Sequence, residues 1–438
     1  MISRIQQELL HHVDEHSSSS LRHWQTMYTH LYTLSAPKMQ EQVVRLLEQS
    51  GMSISFLTDD RSLFAGELQV GARETLLFSL YMPGSSTTTA SSIATVLVAY
   101  QAALDACLHV FDSLPINIKW VFDGRVGLQG GATGASTRYG DVLHADRCVQ
   151  YLPEQKMVSL KNALPLLALG TKGSLRVELM VQTTNIPIEA QYGAIAPNAA
   201  WQLLWALNTL KERRENILIE GFYDAVLPVE DDVIEALTRL VHHAPSLSTQ
   251  WGLQEAFLGL QGLQQYVAYF LTPGCTVSAI HSGSIEDNQQ AFLPQTARAL
   301  LDFQLVPQQD PFDIYSKFQN HLLHQNYTTI QIRLLDAIHP SYTPLSDPFI
   351  TFAIQATTAA YGQSPQILPL VPADSSFHLL PELALPTVIV PLPFVVTELQ
   401  ELSHSFYQES LIQHIKQATL LIAGSASTEK YSAKSSNI

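Results

Sequence analysis

The chain has 438 residues, enough for two or three domains and a large core. Charged residues make up only 14%, below the about 25% usual for soluble domains, and 39 acids against 24 bases leave a net charge of -15. That balance argues against nucleic-acid or anionic-membrane partners, which are bound by clustered Lys and Arg.

The opening residues, MISRIQQELLHHVDEHSSSS, lack the continuous apolar core of a signal peptide. No run approaches about 18 uninterrupted apolar residues, so no membrane span and a cytoplasmic location are expected. Leu21, Trp24, Tyr28 and Leu31 fall at helical spacing and predict helices over residues 20–49. ETLLFSLYM is an apolar run of strand length. The polar patch PGSSTTTASS follows it, with Thr89 expected to be an uninvolved surface residue. A helix comes next, with Ile93, Val96, Leu97, Tyr100, Leu104, Cys107, Leu108 and Phe111 on one face. INIKWVF and DRCVQYL read as further buried strands. Strand, helix and strand in this order predict an α/β sheet with helices on its faces.

The stretch FDGRVGLQGGATG, Phe122 to Gly134, closes the second of these strands with a glycine-rich run. Its spacing fits neither the dinucleotide fingerprint nor a P-loop, since no Lys-Ser/Thr follows. A flexible loop is the simpler reading. Asp123 and Arg125 stand at its start, placed to pair with each other or to meet a ligand carboxylate. His144 and Asp146 precede a strand rather than follow it, which argues against a metal site there. The three cysteines, Cys107, Cys148 and Cys275, form neither a disulfide framework nor a zinc-ribbon spacing.

At about Thr171 the period changes. In GSLRVELMVQ, Leu175, Val177, Leu179 and Val181 alternate with mostly polar neighbours, as in a half-exposed strand. The segment TTNIPIEAQY, Thr183 to Tyr192, is expected to offer a strand edge. A helix follows, capped by Asn198 and carrying Trp201, Leu204, Trp205 and Leu207 around more than one face. Strands at TVSAIHS and ARALLDFQLV, a helix after Pro311 and a strand at YTTIQIRLL complete a β-α-β-β-α-β, ferredoxin-like order. A long insertion, residues 215–273, lies between its first helix and second strand. After Pro340 the α/β text returns, with helix FITFAIQATTAAYG and strand LPTVIVPL. The expected organisation is an α/β domain in two parts, 1–170 and 341–423, interrupted by a ferredoxin-like domain over 171–340. Residues 424–438 are small and polar and read as a disordered tail.

An α/β domain interrupted in this way resembles the zinc exopeptidases of family M20, among them carnosine dipeptidases, aminoacylases and desuccinylases. GSLRVELMVQ, YGAIAPNAAWQLLWALNTLKE, ILIEGFYDAVLPVEDD and FLPQTARALLDFQLVPQQDPFDIYSKFQNHL are similar to the lid of the family's dipeptidase branch. PLSDPFITFAIQATTAAYGQSPQ resembles the return to the catalytic domain. The resemblance implies a zinc-exopeptidase-like fold with a lid that dimerises. It also implies where a two-zinc site would lie, and the ligand types are absent there. Ser79 and Tyr81 stand at the first His-x-Asp, and Thr89 at the bridging Asp. Val126 and Gly127 stand at the Glu-Glu pair, Leu152 at the next ligand, and Ile188 near the lid His. His404 and Glu409 have the wrong spacing for the terminal motif. Ser375 and Ser376, with His378, fall where relatives hold the substrate carboxylate, although a capped loop is the simpler reading of them. The resemblance therefore implies a pseudoenzyme without zinc, binding a peptide or amino-acid-like ligand or serving in assembly as a homodimer. The alternative is an amidohydrolase or dipeptidase with a zinc site rebuilt from residues such as His378, His404 and Glu409.

Overall fold

The computed structural model describes residues 3–82, 84, 86–111, 113–124, 142–152, 164–243, 247, 251–283, 291–372, 385–392 and 404–424. Helices α1 (Arg4–Glu15), α2 (Ser17–Tyr32) and α3 (Ala36–Gln49) open the chain. Then come β1 (Ser53–Phe56), β2 (Leu63–Leu68), β3 (Thr75–Tyr81), α4 (Thr87–Val110), β4 (Asn117–Asp123), β5 (Arg147–Leu152) and β6 (Leu166–Ala168). A short strand, β7 (Gly170–Thr171), leads into β8 (Gly173–Gln182), α5 (Ala199–Asn208), α6 (Asp231–His243), α7 (Leu263–Leu271) and β9 (Gly274–Ser282). Next are β10 (Thr296–Leu305), α8 (Pro311–His324), β11 (Gln331–Ile338) and the returning β12 (Ser341–Tyr342). The last elements are α9 (Pro348–Tyr361), β13 (Gln366–Leu368), β14 (Thr387–Pro391) and α10 (His404–Gly424).

The first sheet runs β1-β2-β4-β3-β5-β14-β6-β13, and its central strands β4, β3, β5 and β14 are mutually parallel. Alternation along each strand divides its side chains between two faces. Phe78, Trp120, Phe122, Tyr151 and Val388 face one way and pack under α1, α2, α4, α9 and α10. Phe64, Phe122, Trp120 and Phe78 stack there at 5.2, 5.2 and 4.9 Å. Each such pair adds about 0.5–1.5 kcal/mol beyond simple burial. Leu77, Val121 and Cys148 face the other way with Leu63 and Leu143.

Among the described residues one helix, Thr88–Val110, is long and apolar enough to cross a membrane, and most of it is buried inside the fold. It begins earlier than the polar text suggests. Ser86 caps it by accepting from the Thr89 N–H at 3.0 Å, and Ser91, Ser92 and Thr95 are fully buried. Small hydroxyl residues can line a helix packed on a sheet, so polar composition does not mark exposure here. Thr89 is 6% exposed, which corrects its reading as a surface residue.

The second sheet has the order β11-β8-β10-β9, all antiparallel. Numbered within the unit this is 4-1-3-2, the ferredoxin-like arrangement expected from the text. Both helices cover one face: α5 lies over β8 and β10, and α8 over β8 and β11. Leu175, Val177, Leu179 and Val181 form the core beneath them, with Leu203, Phe303 and Phe318. Asn198 accepts from the Ala200 and Trp201 N–H groups, which accounts for it as the N-cap of α5.

The chain crosses between sheets where β7 pairs with β12, and a Cβ on Gly170 would sit 2.0 Å from the Ser341 carbonyl oxygen. A side chain there is sterically excluded. Two expectations for the second unit are corrected. The helices of segment 215–273 pack on the first sheet, where Leu237, Leu240, Tyr266 and Phe270 meet Leu166, Leu368 and Ile389. Their apolar stripes are visible in the sequence, but not which sheet they cover. The expected edge at 183–192 is not a strand. β8 ends at Gln182, residues 190–192 form one turn of 3-10 helix, and β9 is an edge of the sheet.

Candidate functional site

The three adjacent parallel strands β4, β3 and β5 end together. From β3 the chain passes through α4 to β4 on one side, then crosses to β5 on the other. Crevices outside the carboxyl ends of such strands are where open α/β sheets bind ligands. Tyr81 stands opposite Asp123, and Ser79 lies between Val121 and Gln150. By alternation Ser79, Tyr81, Asp123, Gln150 and Leu152 all point to the face opposite α4. Ser79 is 7% exposed, Asp123 6% and Gln150 4%.

The backbone holds these ends tightly. The Met82 N–H donates to the Asp123 carbonyl at 2.6 Å, and the Gly124 N–H donates to the Ser62 carbonyl at 2.7 Å. At the start of α4, the Thr89 and Ser86 hydroxyls are 2.9 Å apart. The cluster thus brings hydroxyl, amide and carboxylate groups to one side of the sheet. Gln150 was not singled out from the sequence. The signal was available, as it is the one amide inside the apolar run RCVQYL.

Leu152, the last residue of β5, is buried against the helices of segment 215–273. Asp146 is structural: its carboxylate accepts the Thr75 N–H at 2.7 Å. Ile188 is tied by its carbonyl to the Leu293 N–H at 2.8 Å. Arg125, Val126, Gly127, Ser375, Ser376 and His378 lie outside the described residues, as do the remainder of the glycine run and the side chain of His404. Glu409 is exposed on α10. The three cysteines are free and buried, and burial pushes the thiols of Cys107 and Cys275 up to about 12 and raises that of Cys148 further. Thiols held protonated in this way are poor nucleophiles and ligands.

The second unit has a different character at its β9 edge. Six consecutive β9 residues are exposed, Val277 and Ile280 among them, and the strand contains neither proline nor a Lys, Arg, Asp or Glu. On α5, the helix nearer that edge, Trp201 and Trp205 stack at 5.9 Å while remaining 55% and 56% exposed.

The fold is that of the M20 metallopeptidases. An M20 family metallo-carboxypeptidase from Sulfolobus solfataricus superposes with a TM-score of 0.71 at 21% identity, over 88% of this chain and 94% of that one. Human carnosine dipeptidase 1 gives a TM-score of 0.65 at 15% identity, over 96% of this chain and all of that one (100%). A di-peptidase from Saccharomyces cerevisiae gives 0.67 at 14% identity, over 98% and 100%. No family model matches the sequence. No curated protein matches it either.

Proposed function

We propose that this chain is a non-catalytic relative of the M20 dipeptidases, acting as a homodimeric binding or assembly module. The observation that carries this reading is the chemistry at the strand ends. A pair of zinc ions needs several imidazole, carboxylate or thiolate donors held together. Ser79, Tyr81, Thr89 and Leu152 supply none, which leaves Asp123 as the one acid among the described strand-end residues. This donor set does not fit zinc, and no hydrolytic step is derived through it. Hydroxyl and amide groups beside Asp123 suit a small peptide or amino-acid-like ligand, held by hydrogen bonds rather than cleaved.

The homodimer is supported by the lid. An exposed edge strand is ordinarily paired, covered or blunted; β9 has a bulge at Ser278, and six of its residues stay exposed among the described residues. Two copies joined β9 to β9 about a twofold axis would make one eight-stranded sheet, with Trp201 and Trp205 of each α5 at the seam. Residues 217–222 of the insertion pack in the core of the second unit and its helices pack on the first sheet, while Trp201 and Trp205 stay more than half exposed. Metal-dependent dipeptide turnover, measured on protein purified without chelators, tests the loss of catalysis. Light scattering at micromolar concentration tests the dimer: a strictly monomeric mass would remove it.

A further inference from the structure

The last turn of α1, HHVDEH, residues 11–16, brings His12 and His16 together with His109 of α4, far along the chain from the strand ends. His12, on α1, is 8% exposed and its ring is sandwiched between two others. His16 stacks on it at 4.2 Å, and His109 of α4 stacks on it at 4.4 Å. His12, Glu15 and His16 each offer a donor atom, and these atoms lie within 4.8 Å of one another.

Hydrogen bonds fix which nitrogens are available. His12 Nε2 lies 2.9 Å from Asp105 Oδ2, and an ionised carboxylate only accepts, so Nε2 carries the proton and Nδ1 the lone pair. His16 Nδ1 lies 2.9 Å from the His12 carbonyl oxygen, so Nδ1 donates and Nε2 keeps its lone pair. A carboxylate holding the far nitrogen of a ligating histidine is the usual second-layer support of a metal site. Donors around tetrahedral zinc, at about 2.0–2.1 Å from the ion, lie roughly 3.3 Å apart. A bound ion would draw the exposed Glu15 and His16 side chains inward from this spread, at the cost of the bond between His16 and the His12 carbonyl. The nearby charges include Asp105 and Glu15, the latter also 3.2 Å from His11 Nε2, whereas Lys416 is engaged by Asp14 at 2.6 Å.

We propose that His12, Glu15 and His16 form a zinc site at the α1–α2 corner, supported by Asp105 and completed on the α4 side by His109 or water. Imidazole and carboxylate donors suit zinc among the divalent ions. The bound ion would clip the N-terminal helices to α4, a structural role independent of any chemistry at the strand ends. Metal-free protein titrated with Zn2+ by calorimetry, and with Co2+ by visible absorption, tests it. One ion per chain is expected, with zinc raising the melting temperature. Glu15→Ala and His16→Ala, at exposed positions that leave folding intact, should each weaken binding at least about tenfold, since loss of an outer-layer partner alone costs about 10–100-fold. Asp105→Asn should weaken it by a similar factor. Absence of a stoichiometric ion, or an ion whose affinity is the same in all three variants, would overturn the site.

Discussion

The edge of the second sheet and the strand ends of the first treat their side chains in opposite ways. At β9 and α5 the molecule turns Val277, Ile280, Trp201 and Trp205 outward, where water gains nothing from them. At the ends of β3, β4 and β5 it buries Ser79, Asp123 and Gln150, polar groups that cost more to remove from water than apolar ones. In the proposed reading the first region is a surface awaiting a second copy, and the second is a former reaction centre reduced to hydrogen-bonding groups. In that reading the two regions need not share a cause: an interface would preserve the lid while nothing preserves the ligand set.

The largest expected effect breaks the comparison at the lid. Trp201→Glu places a charge at the seam from both copies. At about 2 kcal/mol or more for each interface anchor, it should raise the dimer dissociation constant about a thousandfold. Sedimentation velocity reads this directly. An unchanged dimer would mean that another surface joins the copies, and the contrast between the two regions would lose its physical basis.

Next in size is the crossing between the two units. Gly170→Ala drives a methyl group into the Ser341 carbonyl of β12, and the resulting strain should cost about 3 kcal/mol in denaturant unfolding. Because β7 and β12 are the paired connections between the sheets, limited proteolysis should then separate the lid from the first domain. A silent substitution would show that the crossing is looser than its geometry implies.

A comparable effect, confined to acid, should belong to the first domain. His414 on α10 is fully buried with its ring edge-on to Tyr151, and burial lowers its pKa to about 4. The unfolded chain takes up this proton near pH 6.5 and the native chain does not. Stability is therefore complete above about pH 6.5 and falls as pH drops toward 4, by about 3 kcal/mol at 1.36 kcal/mol for each pH interval of one. His414→Phe should flatten this slope between pH 6.5 and 4 in urea titrations followed by circular dichroism. A slope unaffected by the substitution would place the acid sensitivity elsewhere.

The smallest effect sharpens the picture of the strand ends. Thr89→Ala removes a buried hydroxyl that meets the capping Ser86, and should cost about 1 kcal/mol rather than nothing. A change below about 0.5 kcal/mol would match the surface residue that the polar text suggested.

Much of this was legible in the sequence because period-2 and period-3.6 patterns carry burial directly. The alternation of Leu175, Val177, Leu179 and Val181 located β8, and the change of text at Thr171 and Pro340 matched the β7 and β12 crossing. What was missed lacks such a pattern. Hairpin β1–β2 is short and mixed in composition. The stripe of Val233, Ala236, Leu237 and Leu240 says that α6 is half-buried without naming the sheet that buries it. The hydroxyl run before Ile93 looks exposed by composition, yet Ser91 and Ser92 are buried within the first turns of α4. At the site, Ser79 and Tyr81 were placed by the resemblance to the M20 dipeptidases, and Asp123 by its position at the end of its strand. Gln150 emerged only once β5 was in register with β3.

The most direct test of the central claim is metal content and turnover in one preparation. The His16→Ala protein, purified without chelators, removes the zinc site proposed at the α1–α2 corner from the measurement. Its bound zinc should be well below one ion per chain, and added Zn2+ should elicit no hydrolysis of dipeptides or N-acyl amino acids. A pair of tightly held zinc ions per chain with metal-dependent turnover would contradict the account and restore a working peptidase at the strand ends.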